Sequence, residues 1–495
     1  MKILSEKQKL IRHQYNIADY WDNQDQDTPE SQDQKKKPTN LSTPDKWELN
    51  KGLKLRPWQE ESRDLWFKQG KRGIAKVVTG AGKTILALSI VEKLQNKDNS
   101  ALRVAIVVPT IVLQHQWLSH LKERSNLPES AIGLMGGGGN ADFEGDCKIL
   151  ICVMATARKK IPEIVKGQAA DSLMLIVDEC HRAGARKMSE IFEVQRSYNL
   201  GLSATPERND ESDESETFQD EEPEDKPSDE SLGILETELG HVFYELDFAR
   251  AIEMKILSEF EVRHYGLSFS GLERSNYEKL SRKITELRQP LMAANRSKFF
   301  MSWVQKTASG NGPQSENARN FVNFSTQRKQ LLYHCANRQK ATLELVKESL
   351  KKGKNTKVII FHESISEVMK LFALLLKHNL PAVVDHSKLP EKFRSESIHM
   401  FREGAAQILV SAKTLVEGFD VPEADVGIVV ASSSSVRQRI QTLGRILRKS
   451  KKSNLESAVL NVLYMSQSTD EFIYEKHNWD SFIGASRNHF FTWDP

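Results

Sequence analysis

Two series of short apolar runs constrain the fold of this chain more strongly than any other feature of its sequence. The first series, from residue 51 onward, includes GIAKVV, LRVAIVVP, KILICVM, LMLIVD and NLGLSAT. The second, from Lys357, includes KVIIFH, PAVVDH, QILVSA, VGIVVAS and AVLNVLY. Each run has the length of a strand and alternates with helical patterns, which is typical of buried parallel sheets. The sequence therefore predicts an α/β protein with two parallel-sheet lobes, at residues 51–255 and 341–470.

The segments outside these lobes have other patterns. Residues 1–50 are predicted to form an N-terminal helix and a flexible linker, because Asp22 to Asp45 are rich in Gln, Asp, Lys and Pro. Residues 256–340 are predicted to form a helical inter-lobe segment, in which Pro290 is expected to kink or end a helix. Residues 471–495 are interpreted as a C-terminal tail. The helical periodicity of the inter-lobe segment is carried by Tyr277, Leu280, Ile284, Leu287 and Leu291.

One stretch of the first lobe has an extreme charge. Residues 209–231 contain twelve acidic residues and one lysine, although the formal net charge of the whole chain is only +3. With so few apolar groups this stretch cannot bury enough surface to fold alone, so we expect a disordered insert. The rest of the chain is distinctly basic, an asymmetry that the total charge conceals.

Several classes of protein are disfavoured by what the sequence lacks. No apolar run approaches the roughly 20 residues of a membrane helix, and no secretory signal is recognisable at the N-terminus. The four cysteines form no C-x-x-C pair, which disfavours a zinc ribbon and a disulfide framework. We therefore expect a cytoplasmic protein with reduced thiols and no membrane partner.

The segment VVTGAGKT, from Val77 to Thr84, follows a strand and opens a helix, which is the setting of a phosphate-binding loop. Its glycines would let backbone N–H groups approach the phosphates of a nucleotide, Lys83 would reach the terminal oxygens, and the Thr84 hydroxyl would hold Mg²⁺. The alternative is an ordinary glycine-rich turn, since Val77 stands where the strict pattern has glycine. The residues expected to contact the nucleotide here are Thr79, Gly80, Ala81, Gly82, Lys83 and Thr84.

The apolar strand LMLIV leads directly into the segment DECH. At the carboxyl end of a buried strand, Asp178 would hold Mg²⁺ and Glu179 would orient or deprotonate the attacking water. His181 is a candidate for coupling this site to the other lobe. The tetrapeptide alone would more often be a helix start with surface acids. Its position about a hundred residues after a phosphate loop favours the catalytic interpretation.

Six elements in order then resemble a known family. LRPWQ, TGAGKT, VVPT, DECH, SAT and QTLGRILR are similar to the motifs of superfamily 2 helicases and translocases. LRP-aromatic-Q, DECH and SATPER resemble more narrowly the XPB-like branch, which includes the type I and III restriction motors. The resemblance covers about residues 53–465 and implies two tandem RecA-like lobes. It also implies ATP hydrolysis, with Mg²⁺, at the cleft between them.

The resemblance assigns further residues near the nucleotide. Gln59, assisted by Arg56, would pair with adenine, because an amide can both donate and accept a hydrogen bond. Trp58 would either stack on the base or fill the core. Ser203 and Thr205 resemble the hydroxyl pair that links hydrolysis to the grip on nucleic acid. In the second lobe, Gly418 and Asp420 match a segment near the ribose and phosphates.

The last motif implies two arginine fingers, Arg445 and Arg448, together with Gln441. Their i, i+3 spacing puts the guanidinium groups on one helical face, and arginine matches phosphate oxygens at any working pH. The alternative is a solvated basic helix end. Two positions depart from the family, since Thr442 and Ala412 stand where many relatives have an arginine and a threonine.

The resemblance also implies contacts to nucleic acid at the ends of strands, where family members hold the backbone. Hydroxyl and backbone groups there would hold phosphates without reading sequence. For each residue singly, an ordinary capping or loop role is an equal alternative. The candidates are Pro109, Thr110, Thr156, Ser364, His386 and Ser387.

These observations predict an ATPase that is stimulated by nucleic acid, with DNA favoured over RNA as the polymer. It would act as a helicase or translocase, alone or as the motor subunit of a complex whose partners supply nuclease or specificity modules. One alternative is an RNA helicase, and another is an interaction subunit that ATP switches without unwinding. A P-loop kinase would leave the paired arginines of the second lobe unexplained.

Overall fold

The computed structural model describes most of both predicted lobes. The described residues are 9–14, 16–17, 42–78, 80–165, 172–184, 187–204, 229–257, 259–295, 300–353, 355–412, 424–432, 457–471 and 485–494. The predicted acidic insert, apart from its last three residues, lies outside this part of the chain.

The first lobe is built on a sheet with the strand order β4-β3-β5-β2-β6-β7-β1-β8 in the described part of the chain. Its neighbouring strands are parallel except for the hairpin β3–β4. Strand β6 is buried along its whole length, which explains its continuous apolar sequence. The strands are β1 (Ile74–Val77), β2 (Arg103–Val108), β3 (Ile132–Gly136), β4 (Gly139–Asn140), β5 (Ile149–Val153), β6 (Leu173–Asp178), β7 (Tyr198–Ser203) and β8 (Val242–Leu246).

Helices cover this sheet, and local signals place their ends. Helix α1 starts with a proline at its first position, and the side chain of Thr110 caps α3 by accepting the Leu113 N–H. Asp247 caps α6 in the same way. The helices are α1 (Pro57–Lys68), α2 (Lys83–Lys97), α3 (Ile111–Arg124), α4 (Met154–Ile164), α5 (Asp229–Leu239) and α6 (Phe248–Glu253).

The second lobe is built on a sheet with the strand order β11-β12-β10-β13-β14-β9-β15 among the described residues, and its neighbouring strands are parallel. The strands are β9 (Phe260–Leu267), β10 (Val358–His362), β11 (Ala382–Asp385), β12 (Ile408–Ser411), β13 (Val426–Ala431), β14 (Ala458–Met465) and β15 (Asn488–Trp493). Helices α10 (Ala336–Lys351), α11 (Ile365–Lys377) and α12 (Glu391–Glu403) accompany them. Together the two sheets and their helices confirm the predicted α/β class.

Strands β9 and β15 differ from the sequence-based organisation, which puts them in the helical segment and in the tail. Both belong to the second sheet, where β15 pairs with β9 along its outer side. Strand β9 alternates buried and half-buried positions, and β15 is half-buried or exposed throughout. Neither strand therefore has the continuous apolar run by which the other strands are recognised.

Between β9 and α10 the chain forms helices α7 (Gly271–Ala294), α8 (Phe300–Ala308) and α9 (Ser315–His334). Helix α7 passes through Pro290 and continues to Ala294, so the proline does not end the helix, which was one of the two expected outcomes. Pro290 donates no backbone hydrogen bond to the preceding turn, and Leu291 beside it is buried in a core that these helices share. That core contains Ile284, Leu291, Phe300, Val304, Ala318 and Phe321.

The start of the chain packs against the second lobe. Residues 9–14 and 16–17 are helical. His13 Nε2 lies 2.9 Å from Ser397 Oγ, and Gln14 Nε2 donates to the Ala382 carbonyl at 2.6 Å. Ile17 is fully buried in the core of the second lobe. No helix among the described residues is long and apolar enough to cross a membrane.

Candidate nucleotide-binding and catalytic site

The predicted phosphate loop connects β1 to α2 and has the backbone that such a loop needs. Gly80 and Gly82 have φ values of 83° and 108°, in the left-handed region that favours glycine. A Cβ atom on Gly82 would lie 2.8 Å from Gln59 Nε2, so a side chain at this position would displace the Gln59 amide. Because α2 begins at Lys83, the positive end of its dipole faces the loop. Thr79 lies outside the described residues.

Arg56 and Gln59 are tied directly to this loop. Arg56 Nη1 donates to the Ala81 carbonyl at 3.1 Å, and Gln59 Nε2 donates to the Gly82 carbonyl at 3.0 Å. Gln59 Oε1 accepts the Arg56 N–H at 2.9 Å. One N–H and one lone pair of the Gln59 amide are left by these bonds, which is the pair of groups that adenine recognition requires.

Trp58 takes the core role rather than the stacking role. Its side chain is fully buried in the core of the first lobe. The Trp58 ring stacks on the Tyr244 ring, with the two ring centroids 6.0 Å apart.

Strand β6 delivers two carboxylates to the loop. Lys83 Nζ and Glu179 Oε1 are 3.2 Å apart, and both side chains are largely buried. Glu179 has a φ of 48°, an uncommon backbone conformation for a residue with a side chain. Such strained conformations persist where the surrounding structure enforces them, often at active sites. The phosphate-binding lysine and the candidate water-orienting carboxylate are therefore in direct contact.

Asp178 is buried, and both of its carboxylate oxygens accept hydrogen bonds. Trp117 Nε1 donates to Oδ2 at 2.9 Å, and the Glu179 N–H donates to Oδ1 at 3.0 Å. Burial, followed by the charge of Glu179, raises the pKa of Asp178, while Lys83 and the two N–H donors lower it.

The residues present fit a magnesium ion. A carboxylate at Asp178 and a hydroxyl at Thr84 are the hard oxygen ligands that Mg²⁺ prefers. A divalent cation would also stabilise a carboxylate that burial otherwise disfavours. The two residues lie on either side of the loop, at the end of β6 and in the first turn of α2.

His181 joins the DECH segment to the SAT segment. Its Nδ1 lies 3.0 Å from Ser203 Oγ and 3.6 Å from Glu179 Oε2, and both His181 and Ser203 are buried. The structure thus brings together Lys83, Glu179, His181 and Ser203 in one chain of contacts. Thr205 lies outside the described residues.

The candidate nucleic-acid residues of the first lobe follow strand ends. Pro109 and Thr110 follow β2, and Thr156 lies in the first turn of α4 after β5. The turn Gly136 to Gly139 lies beside both places. A Cβ on Gly136 would be 2.9 Å from Thr156 Oγ1, and one on Gly137 would be 3.0 Å from the Ile111 side chain.

In the second lobe, Ser364 and Ser387 are accessible, whereas His386 is fully buried. Burial lowers the pKa of His386 to about 4, so its ring is uncharged at neutral pH. The His386 ring therefore presents no charge at the surface, and the contact to nucleic acid expected at this strand end, through hydroxyl and backbone groups, stays a prediction. Ser364 follows β10, and its N–H donates to His362 Nδ1 at 3.0 Å.

The remaining candidates of the second lobe lie outside the described residues, so their roles stay predictions. Ala412, the departure from the family pattern, is described and buried, and its N–H donates to the Asp385 carbonyl at 3.2 Å. The candidates outside the described part are Gly418, Asp420, Gln441, Arg445 and Arg448.

Two features of the site have no counterpart in the sequence-based prediction. Trp117 contacts Asp178, although 61 residues separate them, and the glycine turn adjoins Thr156. The run of four glycines from Gly136 is a visible signal of close backbone approach. Trp117 has no such signal, because a tryptophan on an amphipathic helix is ordinarily a core residue.

Comparison with known proteins gives two family matches. Residues 52–208 match the family model described as "Type III restriction enzyme, res subunit". Residues 340–450 match the "Helicase conserved C-terminal domain". The first match contains the phosphate loop and the DECH segment, and the second contains Arg445 and Arg448.

One curated relative and two solved structures are similar to most of this chain. The chain is 28% identical over 412 residues to "DNA 3'-5' translocase XPB2" of Sulfurisphaera tokodaii, which covers 81% of this chain and 80% of the relative. The Hef helicase domain of Pyrococcus furiosus aligns with 85% of this chain and 97% of its own, with a TM-score of 0.52 and 16% identity. The type ISP restriction-modification enzyme LlaBIII, solved bound to DNA, aligns with 89% of this chain and 31% of its own, with a TM-score of 0.57 and 15% identity. The predicted tandem RecA-like fold is confirmed.

Proposed function

Because the chain belongs to the superfamily 2 helicases, in the branch that includes XPB and the restriction motors, we propose that it hydrolyses ATP between its lobes and thereby moves along or remodels DNA. The observation that carries this proposal is the chain of contacts from Lys83 through Glu179 and His181 to Ser203. It joins a phosphate-binding residue to a segment that the family resemblance assigns to coupling.

In the proposed reaction, backbone N–H groups of the loop and Lys83 bind the phosphates of ATP. Asp178 and Thr84 would hold Mg²⁺, which would neutralise part of the phosphate charge. Glu179 orients the attacking water and accepts its proton. When ATP binds, its phosphates take the place of the Glu179 carboxylate as the partner of Lys83. The Glu179 carboxylate is then available to the water.

The second lobe completes the site in this proposal. Arg445 and Arg448 would contact the γ-phosphate as the lobes close, and Gly418 and Asp420 would lie near the ribose and phosphates. A guanidinium that arrives only on closure stabilises charge in the transition state rather than in the ground state. Hydrolysis would then depend on the relative position of the lobes, which is how ATP turnover and movement are linked.

We propose DNA as the polymer and sequence-independent contacts to its backbone. One relative that spans most of this chain is a DNA translocase by name, and the candidate contacts are hydroxyl and backbone groups, which bind phosphates without reading bases. The LlaBIII alignment covers only 31% of that enzyme. We propose that this motor also works with further modules, which partner proteins supply.

A panel of polymers tests the proposal. ATP hydrolysis is measured without polymer and with single-stranded DNA, duplex DNA, forked DNA and RNA, for the parent chain and for Lys83→Ala. We expect DNA to stimulate the parent more than RNA does, and Lys83→Ala to abolish turnover on every polymer. Preferential stimulation by RNA would instead identify an RNA helicase. Turnover that no polymer changes would favour an ATP-switched interaction subunit.

A further inference from the structure

Helix α3 buries two side chains with hydrogen-bonding groups against the sheet that it covers. Gln114, Trp117 and Leu121 lie at spacings of three and four and are all buried. Gln114 Nε2 donates to the Met135 and Ile151 carbonyls, at 3.1 Å and 2.8 Å, and so ties the helix to β3 and β5. Trp117, one turn further on, has a different kind of partner.

The indole N–H of Trp117 reaches the carboxylate that the proposed mechanism assigns to Mg²⁺. Trp117 is 1% exposed and Asp178 is 6% exposed, so solvent has little access to the bond between them. Of the two donors to Asp178, the Glu179 N–H comes from the next residue along the chain, whereas the indole comes from a separate helix. The indole bond is therefore the contact that fixes the rotation of the Asp178 side chain relative to the body of the lobe.

Other buried tryptophans of the same lobe show that burial alone does not require such a partner. Trp66, which is fully buried on α1, donates its indole N–H to the Asn199 carbonyl at 3.0 Å, an ordinary backbone acceptor. Trp117 instead donates to an ionisable group at the nucleotide site. Because an indole can only donate, it is suited to the ionised form of the carboxylate, which is the form that binds a metal ion.

We propose that Trp117 is a positioning residue, whose indole N–H holds the Asp178 carboxylate in the orientation that binds Mg²⁺ with the nucleotide. This inference rests on the proposed function and deepens it. Helix α3 begins immediately after Thr110, a candidate nucleic-acid contact, and Trp117 follows seven residues later. About 10 Å of rigid helix thus separates that contact from the residue that orients the carboxylate.

Some residues hydrogen-bond a metal ligand without contacting the metal themselves. Mutating such a residue typically lowers metal affinity or activity roughly 10- to 100-fold. The test must separate this contribution from the packing of a large buried ring. Replacing Trp117 with 3-benzothienylalanine, incorporated at that position alone, keeps the shape of the ring system and puts sulfur where the N–H stands. The same replacement at Trp66 is the matched control. It also removes the N–H of a buried indole, but there the acceptor is a backbone carbonyl.

Binding of a fluorescent ATP analogue is titrated with Mg²⁺ and repeated in EDTA, and thermal unfolding is recorded for each variant. For the Trp117 replacement we expect the Mg²⁺ concentration for half-maximal enhancement of binding to rise about 10- to 100-fold. Binding in EDTA should be unchanged. The Trp66 replacement should keep the parental Mg²⁺ dependence. Trp117→Phe should show at least the same rise, and the isostere keeps the test valid if that variant does not fold.

A parental Mg²⁺ dependence in the Trp117 replacement would overturn the inference, as would equal weakening of binding in Mg²⁺ and in EDTA. Either outcome leaves the proposed function intact. A parent chain that binds the nucleotide equally well with and without Mg²⁺, and that does not hydrolyse ATP, would contradict the proposed function itself.

Discussion

Gly82 shows how tightly single residues are constrained around the phosphate loop. Its carbonyl accepts from Gln59, its φ of 108° lies in the left-handed region, and the space beside it is filled by the Gln59 amide. The neighbouring Ala81 carbonyl is held by Arg56. Hydrogen bonds therefore join the loop to the residues expected to recognise adenine, and a change in either should reach the other.

Gly82→Ala should weaken ATP binding by more than its effect on stability explains. An L-residue in left-handed backbone costs roughly 1–2 kcal/mol, and the new methyl group would also displace Gln59. Gly70→Ala is the control, because Gly70 has a φ of 80° but open space around its Cβ position. Urea unfolding should show similar destabilisation for both variants. Fluorescent-nucleotide titration should show a loss of affinity in Gly82→Ala alone, and parental affinity there would contradict the assigned geometry.

The local motifs were predictable from the sequence, because each lies within a few consecutive residues. Lys83, Asp178 and Glu179 converge because parallel strands end at the same edge of a sheet, which a sequence pattern can indicate. The bond between Trp117 and Asp178 was not predictable, since it depends on which face of α3 meets the sheet. The burial of His386 was missed for the same reason, because a histidine after a strand looks alike in sequence whether it is buried or exposed.

At the scale of whole elements, the outer strands of the second sheet depend on long-range pairing. Strand β9 lies between β14 and β15, and its partners are about 200 residues away in sequence. The Arg338 guanidinium on α10 donates to the carbonyls of Val430 and Leu463 and to Asp470, and so joins α10 to β13 and β14. Neither the pairing nor this buried arginine follows from local sequence pattern.

The buried histidines of the second lobe should make its stability depend on pH. Burial, followed by the charge of Arg338, lowers the pKa of His362 to about 3, compared with about 6.5 in the unfolded chain. The folded state resists protonation of this ring. The stability associated with the neutral ring is therefore fully present above pH 6.5 and is lost as the pH falls towards 3. His362 adds a slope of up to about 1.4 kcal/mol per pH unit in this range. The lowered pKa of His386 acts in the same direction.

Urea unfolding at a series of pH values between 7 and 4.5 measures this slope. His362→Gln should reduce it, because glutamine can replace the two hydrogen-bonding roles of the ring and does not titrate. His378→Gln, at an exposed position, should keep the parental slope. An identical pH dependence in the parent and His362→Gln would show that this ring is not the group responsible.

At the scale of the whole molecule, the proposed site would be complete only when both lobes contribute. Among the described residues, the first lobe supplies the phosphate loop apart from Thr79, the two carboxylates and the candidate coupling histidine. The proposed arginine pair comes from the second. Phe248 and Phe260 make an edge-to-face contact, with ring centroids 5.4 Å apart, where the chain passes from one lobe to the other.

Arg445→Ala and Arg448→Ala should each suppress DNA-stimulated hydrolysis far more than nucleotide binding. Arginine fingers in other phosphoryl-transfer enzymes are worth about 10³ to 10⁵ in rate, because they act only in the closed transition state. Turnover and ATP affinity are measured in parallel, with Lys449→Ala as a control that removes a neighbouring charge outside the pair. Losses of equal size in affinity and rate would indicate a ground-state contact instead.

The central claim, that this site hydrolyses ATP with Glu179 as the water-orienting base, is tested most directly by single-turnover hydrolysis in the Glu179→Gln variant with saturating DNA. Glutamine keeps the size of the side chain and removes the base, so ATP binding should persist at near-parental affinity. The rate of the chemical step should fall by about 10² to 10⁴, the usual contribution of a general base. Hydrolysis at the parental rate in this variant would contradict the account.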